Sequence, residues 1–574
     1  MGEFGDQIRS FRLSPSFQGL YRYGQAISWS GYNELKHDYP YVLHQFLTAS
    51  ARRSADQTAV VFGEQSLSYG ALDALTDQLA GAMRARGVAK GDRVGIYVSK
   101  SLASVVSVFA ILKTEACYVP LDPDAPTQRL AYIVRECGIT TLLTTSKKVA
   151  GIQVMFPDDC PLNTVVLIDC DVPREPRTTL TPMPAGVTVV SWNEVIAQPT
   201  TLLTENLAVE TDTALILYTS GSTGTPKGVM ISHRNLLTFV NWATECVGLT
   251  GDDRVSNHAP LHVAISTFDI FASCRVGSAI IIVPEKASIL PVQLTNLIER
   301  ERITVWYSVP TVLTLMALYG DLAGHDLSCL RTIIFAGDVF PTKYLRKLMA
   351  ALPQARYLNW YGTTETRVCT WYEVPKLIPE RTQRIPIGKA HANCEVFAVD
   401  SLGNKVTKPD EIGELYVRGP SLMQGYVGSP EKTAKALVRN PLNPLFNELV
   451  CRTGDLVTLD ADGNYLFVGR EDGMIKTRGY RVELEEIETV LYGHPAIREV
   501  VALSVPDEIV GNRLCAVISL HDGMTLTREE VLAFCNKRLP RYMLPLVIEF
   551  RDILPKTYTG KTDRASLTQS FSSK

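Results

Sequence analysis

Hydrophobic positions along the chain change period several times, and the changes mark the elements. From residue 41 onward, stretches with apolar residues three and four apart, such as 72–86, alternate with short continuous β-rich runs such as 93–98 and 279–283. Helix-period segments interleaved with fully apolar short runs predict an α/β architecture whose strands are buried on both faces, hence largely parallel sheets. Further along, 413–418 and 465–468 read as strands broken by Gly and Asp turns. After Asp472 the spacing shortens: a helix over 483–492, strands over 500–505 and 514–520, then a helix opened by Thr527 with Glu530 three residues on. That last pair is the reciprocal N-terminal capping pattern. The expected organisation is an extension (1–42), a large α/β domain of mainly parallel sheets flanked by helices with a small β-barrel-like subdomain (43–471), and a small mobile α+β domain (472–574) hinged at Asp472.

Length and charge narrow the classes. At 574 residues and 46% hydrophobic, the chain can bury more than one core. Its 57 basic and 60 acidic residues give a net charge of -3, so overall charge draws it neither to nucleic acid nor to anionic membrane. The 12 cysteines are scattered singly, without CxxC pairs or metal-ligand spacing, as expected of reduced thiols in cytosol. No secretory leader and no run of 18 apolar residues is present, so a cytoplasmic location is expected.

The most informative stretch is Thr219-Ser220-Gly221-Ser222-Thr223-Gly224-Thr225-Pro226-Lys227-Gly228, directly after the apolar run 214–217. Glycines let backbone amides approach phosphate oxygens, hydroxyls add donors, and Lys227 supplies a mobile cation. It departs from the P-loop, since Pro226 precedes the Lys and no Ser or Thr follows it. Taken alone, a polar Gly/Ser loop between strands is the alternative.

Further motifs stand in a fixed order around it: Tyr118-Val119-Pro120-Leu121-Asp122, Asn359-Trp360-Tyr361-Gly362-Thr363-Thr364-Glu365, Arg452-Thr453-Gly454-Asp455-Leu456, Gly469-Arg470-Glu471-Asp472, Leu539-Pro540-Arg541-Tyr542 and Thr559-Gly560-Lys561-Thr562. Over roughly residues 43–567 this series resembles the adenylate-forming superfamily of acyl-CoA synthetases, luciferases and nonribosomal peptide synthetase adenylation domains. The resemblance implies ATP-dependent activation of a carboxylic acid as acyl-AMP, followed by transfer to a thiol. It implies Lys561, Thr219 and Lys227 as catalytic groups. ATP would be held by Thr219 to Gly224, Lys227, Gly337, Asn359, Tyr361, Gly362, Thr363, Thr364, Asp455, Arg470 and Lys561, with Glu365 as magnesium ligand and Asp455 on the ribose hydroxyls. The hydroxyls, carboxylates and cations among these suit phosphate, metal or sugar, and the glycines let backbone amides approach. It also implies a domain rotation that exchanges Lys561 for the 476–479 segment between two half-reactions.

Phrases such as Trp306-Tyr307-Ser308-Val309-Pro310 are similar to free-standing amino-acid adenylation enzymes. With no carrier segment or Gly-Gly-x-Ser motif in the chain, the expected acceptor is the phosphopantetheine thiol of a separate carrier protein, with coenzyme A second. The resemblance maps the acid pocket to Ala264, Ile265, Phe268, Tyr307, Ile334, Ala336, Trp360, Val368 and Cys369, a set like that of proline activators. Two departures stand out. Ala264 replaces the Asp that pairs with a substrate ammonium, and Trp360 replaces a smaller residue. Burying an ammonium without its carboxylate is costly, so the expected acid lacks a protonated α-amine: an anthranilate-like aryl acid, or a small keto or hydroxy acid. The alternatives are proline or another α-amino acid in an atypical pocket, with the amine on a backbone carbonyl or Asp269, and an aryl- or acyl-CoA ligase. Retention of Lys561, Asp455 and Glu365 argues against a non-catalytic ATP-binding relative. Arg367, directly before Val368, is unexpected beside a pocket wall: it could meet a second acidic group, but the favoured expectation is a surface-facing arginine in a salt bridge. His258 and His262 flank the pocket segment, as core histidines or as groups meeting the substrate.

Overall fold

The computed structural model describes residues 40–157, 159–170, 183–200, 206–221, 225–288, 290–376, 384–470, 474–507, 509, 511–556 and 562–572. Lys561, Ser222, Thr223, Gly224 and the hinge candidate Asp472 lie outside the described residues.

The apolar runs fold as two large sheets. In the nine-stranded sheet, five strands, Thr58–Phe62, Ala279–Ile282, Arg254–Asn257, Val305–Ser308 and Thr332–Ala336, run parallel and continue into Arg356–Thr363, after which Arg367–Glu373 turns back antiparallel. The eight-stranded sheet has a parallel core (Cys117–Pro120, Arg93–Tyr97, Thr141–Thr144, Thr164–Leu167), and Thr213–Thr219 joins it before reversing into Lys227–Ser232. Helix Leu102–Lys113 is apolar nearly all round and wholly buried, and Ser266–Val276 is buried over Ser266 to Cys274, as expected of a layered α/β core. The periodic segment beginning near residue 72 is the helix Tyr69–Arg84; it starts three residues earlier because the Ser68 hydroxyl accepts the Ala71 amide at 3.2 Å.

A five-stranded antiparallel sheet (Glu395–Val399, Gly413–Arg418, Leu449–Leu459, Leu437–Arg439, Tyr465–Arg470) forms the β-rich subdomain with its own core. Beyond it the small hairpin Ile475–Thr477/Tyr480–Val482 leads to an α+β unit. There the three strands Ile497–Asp507, Gly511–Leu520 and Val547–Phe550 pack on helices Leu484–Tyr492, Arg528–Asn536 and Arg564–Ser572. Thr527 and Glu530 cap Arg528–Asn536 reciprocally, as their spacing predicts. Both strands of the long hairpin exceed the predicted lengths, because ten cross-strand pairs carry the ladder past the apolar core residues into polar ends.

Candidate active site

Three chain segments converge on a cleft. The first is the hairpin connection between Thr213–Thr219 and Lys227–Ser232, which places Thr219 opposite Lys227. A Cβ on Gly221 would lie 2.2 Å from the Thr225 carbonyl oxygen, so only glycine fits where this loop folds back on itself. The Thr219 hydroxyl is buried and has no hydrogen-bond partner among the described residues. A buried orphan donor beside a glycine-only turn suits a phosphate oxygen.

The second segment is the strand Arg356–Thr363 with the turn after it. Glu365 is buried and surrounded by cations: Arg481 Nη1 donates to it at 2.9 Å, Lys227 Nζ lies 3.7 Å away, and the Tyr426 hydroxyl donates at 2.8 Å. Burial alone would raise its pKa, but Arg481 and Lys227 reverse this and hold the carboxylate well below the usual range. Its second oxygen, Oε2, has no partner among the described residues. An ionised carboxylate with one uncommitted buried oxygen fits a magnesium ion. Burial, then Arg481, lowers the Lys227 pKa, while Glu365 opposes them.

The third segment pairs Asp455 with Arg470 across the antiparallel ladder. Asp455 is fully buried; it accepts from Arg470 and from the Tyr361 hydroxyl, and Arg470 also donates to the Thr453 carbonyl at 3.0 Å. Gly337, Asn359, Tyr361 and Arg470 line one cavity here, and Asn359 is braced by its amide on the Pro386 carbonyl at 2.7 Å.

A second cavity, of about 150 Å³, lies between this region and the phosphate loop. Its wall includes Thr219 and Ser220, then Gly362, Thr363 and Thr364, and, from the candidate acid pocket, Ala264, Ile265, Tyr307, Ala336 and Val368. Phe268, Ile334, Trp360 and Cys369 do not line it. Phe268 and Trp360 stand behind the wall in an aromatic cluster. Trp360 meets Phe268 and Tyr307 edge-on, each at 5.2 Å between ring centres, and contacts Trp242 at 5.1 Å. Cys369 packs against Tyr361, Ile387 and Leu415 on the other side of its strand. Neighbouring strand residues face opposite sides, so with Val368 on the cavity wall Cys369 faces away, beside a register shift in which Tyr361 pairs with Thr370 and Gly362 with Val368.

Arg367 departs from expectation. It is 4% exposed, not at the surface, and lines the acid-side cavity. Its backbone has φ +59°, in the left-handed region that non-glycine residues seldom occupy. Burial lowers its guanidinium pKa to about 10, leaving it charged at neutral pH. The residue pattern marks Arg367 only as unexpected beside a pocket wall, and its inward placement is not legible there, because a left-handed residue at the start of the strand breaks the alternation. His262 also lines the cavity, with Nε2 3.8 Å from Asp122, whereas His258 packs on Trp306 away from it. Asp269 is wholly buried outside the cavity wall, where burial pushes its carboxyl well above the usual range and the Asn257 amide holds it at 3.2 Å.

The hairpin 475–482 reaches into the cleft. Lys476 and Gly479 line the acid-side cavity, Lys476 lies over the Tyr361 ring at 5.4 Å, and Arg481 meets Glu365. A Cβ on Gly479 would lie 2.1 Å from Val309, so the approach depends on glycine. Further on, Glu486 accepts the Gly221 amide at 3.3 Å and pairs with Arg129 at 2.5 Å. The sequence motifs did not point to Arg481, Glu486 or Arg129, because their roles arise only from contacts between distant segments.

A phosphate-suited loop, an ionised buried carboxylate and a braced Asp–Arg pair around one cleft define a nucleotide-dependent enzyme. The chain belongs to the AMP-binding enzyme family: residues 47–427 match the AMP-binding enzyme model, and 486–561 match the AMP-binding enzyme C-terminal domain. It is an adenylate-forming ligase. It is 36% identical over 532 residues to an L-proline--[L-prolyl-carrier protein] ligase of Pseudomonas fluorescens, covering 92% of this chain and 99% of that one. A ligase of the same name from Streptomyces coelicolor is 35% identical, with 91% and 95% covered. Among solved structures, the Vibrio cholerae adenylation domain AlmE, in complex with glycyl-adenosine-5'-phosphate, superimposes with a TM-score of 0.79 at 25% identity, covering 93% of this chain and 98% of that one. No helix among the described residues is long and apolar enough to cross a membrane.

Proposed function

We propose that the protein uses ATP to convert a small carboxylic acid into its acyl-AMP, releasing pyrophosphate, and then passes the acyl group to the phosphopantetheine thiol of a separate carrier protein. Proline or another small α-amino acid is the substrate its relatives support best. The observation that carries this is near-complete coverage of both chains in the match to proline–carrier ligases, together with Tyr307, Ala336 and Val368 on the cavity wall.

In this reading Thr219, Ser220 and the amides of the following loop hold the phosphates, and Lys227 balances charge that builds as pyrophosphate leaves. A magnesium ion held by Glu365 would supply Lewis-acid neutralisation of the phosphate oxygens. Asp455, fixed by Arg470 and Tyr361, accepts from the ribose hydroxyls. Lys561 would hold the acid against the α-phosphate during the first step. Positions 476–479, already in the cleft, would shape the approach of the thiol during the second, with the change of place hinged at Asp472. The domain division at 472 and cytoplasmic operation are part of the same proposal.

A second reading, an acid without a protonated α-amine, is favoured by the cavity itself. Its described wall carries Arg367, Lys476 and Arg481 but no Asp or Glu, with Ala264 at the position expected to meet the amine. Transfer of labelled acid decides the acceptor. Label on a purified phosphopantetheinylated carrier protein supports the proposal, and label on coenzyme A alone replaces it with an acyl-CoA ligase.

A further inference from the structure

A guanidinium taken out of water requires acceptors; left without them it is among the most expensive groups a protein can bury. Arg367 is 4% exposed, and its Nε and Nη1 have no hydrogen-bond partner among the described residues. Glu365, the carboxylate that acts electrostatically on it, is engaged by Arg481, Lys227 and Tyr426. The backbone holds this arginine in a left-handed conformation at φ +59°, and a Cβ on Gly362 would lie 1.7 Å from its carbonyl oxygen, so the turn leaves it little freedom to move away. Two independent features, strained placement and unmet donors, thus coincide on one side chain that lines the acid cavity between Tyr307, Val368 and Ala264.

We infer that Arg367 is a specificity-determining residue that binds a second oxyanion of the substrate acid, so that the site takes a short dicarboxylic acid or an acid with an equivalent anionic group. This rests on the acid-activating reading and narrows the acid within it. The planar fork of Arg367 suits a carboxylate, and the absence of a counter-carboxylate at Ala264 removes the group that would repel one. An amine elsewhere on such an acid is compatible with the site; a lone ammonium beside Arg367 is not. A nucleotide phosphate offers the same oxyanion chemistry, but Lys227, Arg481, Thr219 and the glycine loop already face that side of the cleft.

The test is steady-state pyrophosphate exchange with succinate, glutarate, aspartate, proline and benzoate, using the wild-type chain and its Arg367→Gln, Arg367→Lys and Arg367→Asn variants. The expected result is that the wild type favours a dicarboxylate over its monocarboxylate analogue by about tenfold or more. Arg367→Gln would raise the KM of that acid by about 10- to 100-fold, as loss of a charged hydrogen-bond pair does, with the ATP KM within about twofold. Arg367→Lys would restore part of the loss. A rise in the ATP KM instead would assign Arg367 to the nucleotide and overturn the inference. Exchange with proline or benzoate that no Arg367 variant alters would overturn it too, while leaving the adenylation reading standing. No exchange with any acid would count against adenylation itself. If the Gln variant fails to fold, Arg367→Asn, which tolerates left-handed backbone, replaces it. Should no variant fold, thermal protection of the wild type by succinate or glutarate but not by butyrate decides, and equal protection by both overturns the inference.

Discussion

The nucleotide side and the acid side of the cleft share one strand, Arg356–Thr363, yet they are built on opposite logic. On the nucleotide side the buried carboxylates Asp455 and Glu365 have counter-charges: Asp455 with Arg470, Glu365 with Arg481 and Lys227. On the acid side Arg367 is buried without a carboxylate partner among the described residues, beside apolar and aromatic side chains backed by Trp360. A half whose ligand never changes can satisfy its charges internally and lend them to the ligand. A half whose ligand defines the enzyme leaves one need unmet, and the ligand supplies it.

Breaking the nucleotide side should cost most. Asp455→Ala removes the buried carboxylate that Arg470 and the Tyr361 hydroxyl engage, which costs about 3–5 kcal/mol of stability; chemical denaturation measures it, and a loss below about 1 kcal/mol would show the pair to be solvated. Glu365→Gln keeps the shape but removes the charge, and the turnover number for exchange should fall about 100-fold or more, with little change in the KM of the acid. On the acid side, Trp360→Ala empties the back of the aromatic cluster and should cost about 3–5 kcal/mol, while also shifting exchange toward bulkier acids. Recovery of wild-type stability in that variant would mean that Trp360 is not packed as described.

Smaller effects sharpen the contrast. Ala264→Asp supplies the missing amine acceptor and should improve the KM of proline about tenfold relative to non-amino acids; an unchanged ratio would mean that position 264 does not meet the α-substituent. The pH profile of stability reports on the surrounding core. Burial lowers the pKa of His44 to about 3, His233 to about 4 and His258 to about 3. Their folded values lie below the unfolded value, so the unfolded chain binds more protons in between. Stability is therefore fully present above about 6.5 and declines as pH falls from there toward 4. A Tm lower at pH 5 than at pH 7 is expected, and a Tm that rises on acidification would contradict the burial of these imidazoles.

Legibility in the sequence follows the same division. Gly221, Glu365 and Asp455 were legible because the motifs that contain them resemble a known family, and the structure buries both carboxylates and folds Gly221 into a turn that only glycine fits. The parallel sheets were legible too, since strands buried on both faces appear as unbroken apolar runs. The acid wall was legible only in part: Ala264, Tyr307, Ala336 and Val368 line the cavity, but Cys369, next to Val368 on its strand, faces the other core, and Arg367, for which the surface was the favoured expectation, sits buried with left-handed backbone. Both depend on ladder register, which residue identity does not encode. Contacts between distant segments, such as Arg481 with Glu365 and Glu486 with Gly221, were illegible for the same reason.

The most direct test of the account is acid-dependent exchange of labelled pyrophosphate into ATP by the wild-type chain across amino, dicarboxylic, aryl, keto and hydroxy acids, with Lys227→Ala as the blank. The account predicts exchange that requires ATP, magnesium and one small acid, and that falls to the blank when any of them is omitted. Absence of exchange with every acid, or exchange that Lys227→Ala leaves intact, would contradict it.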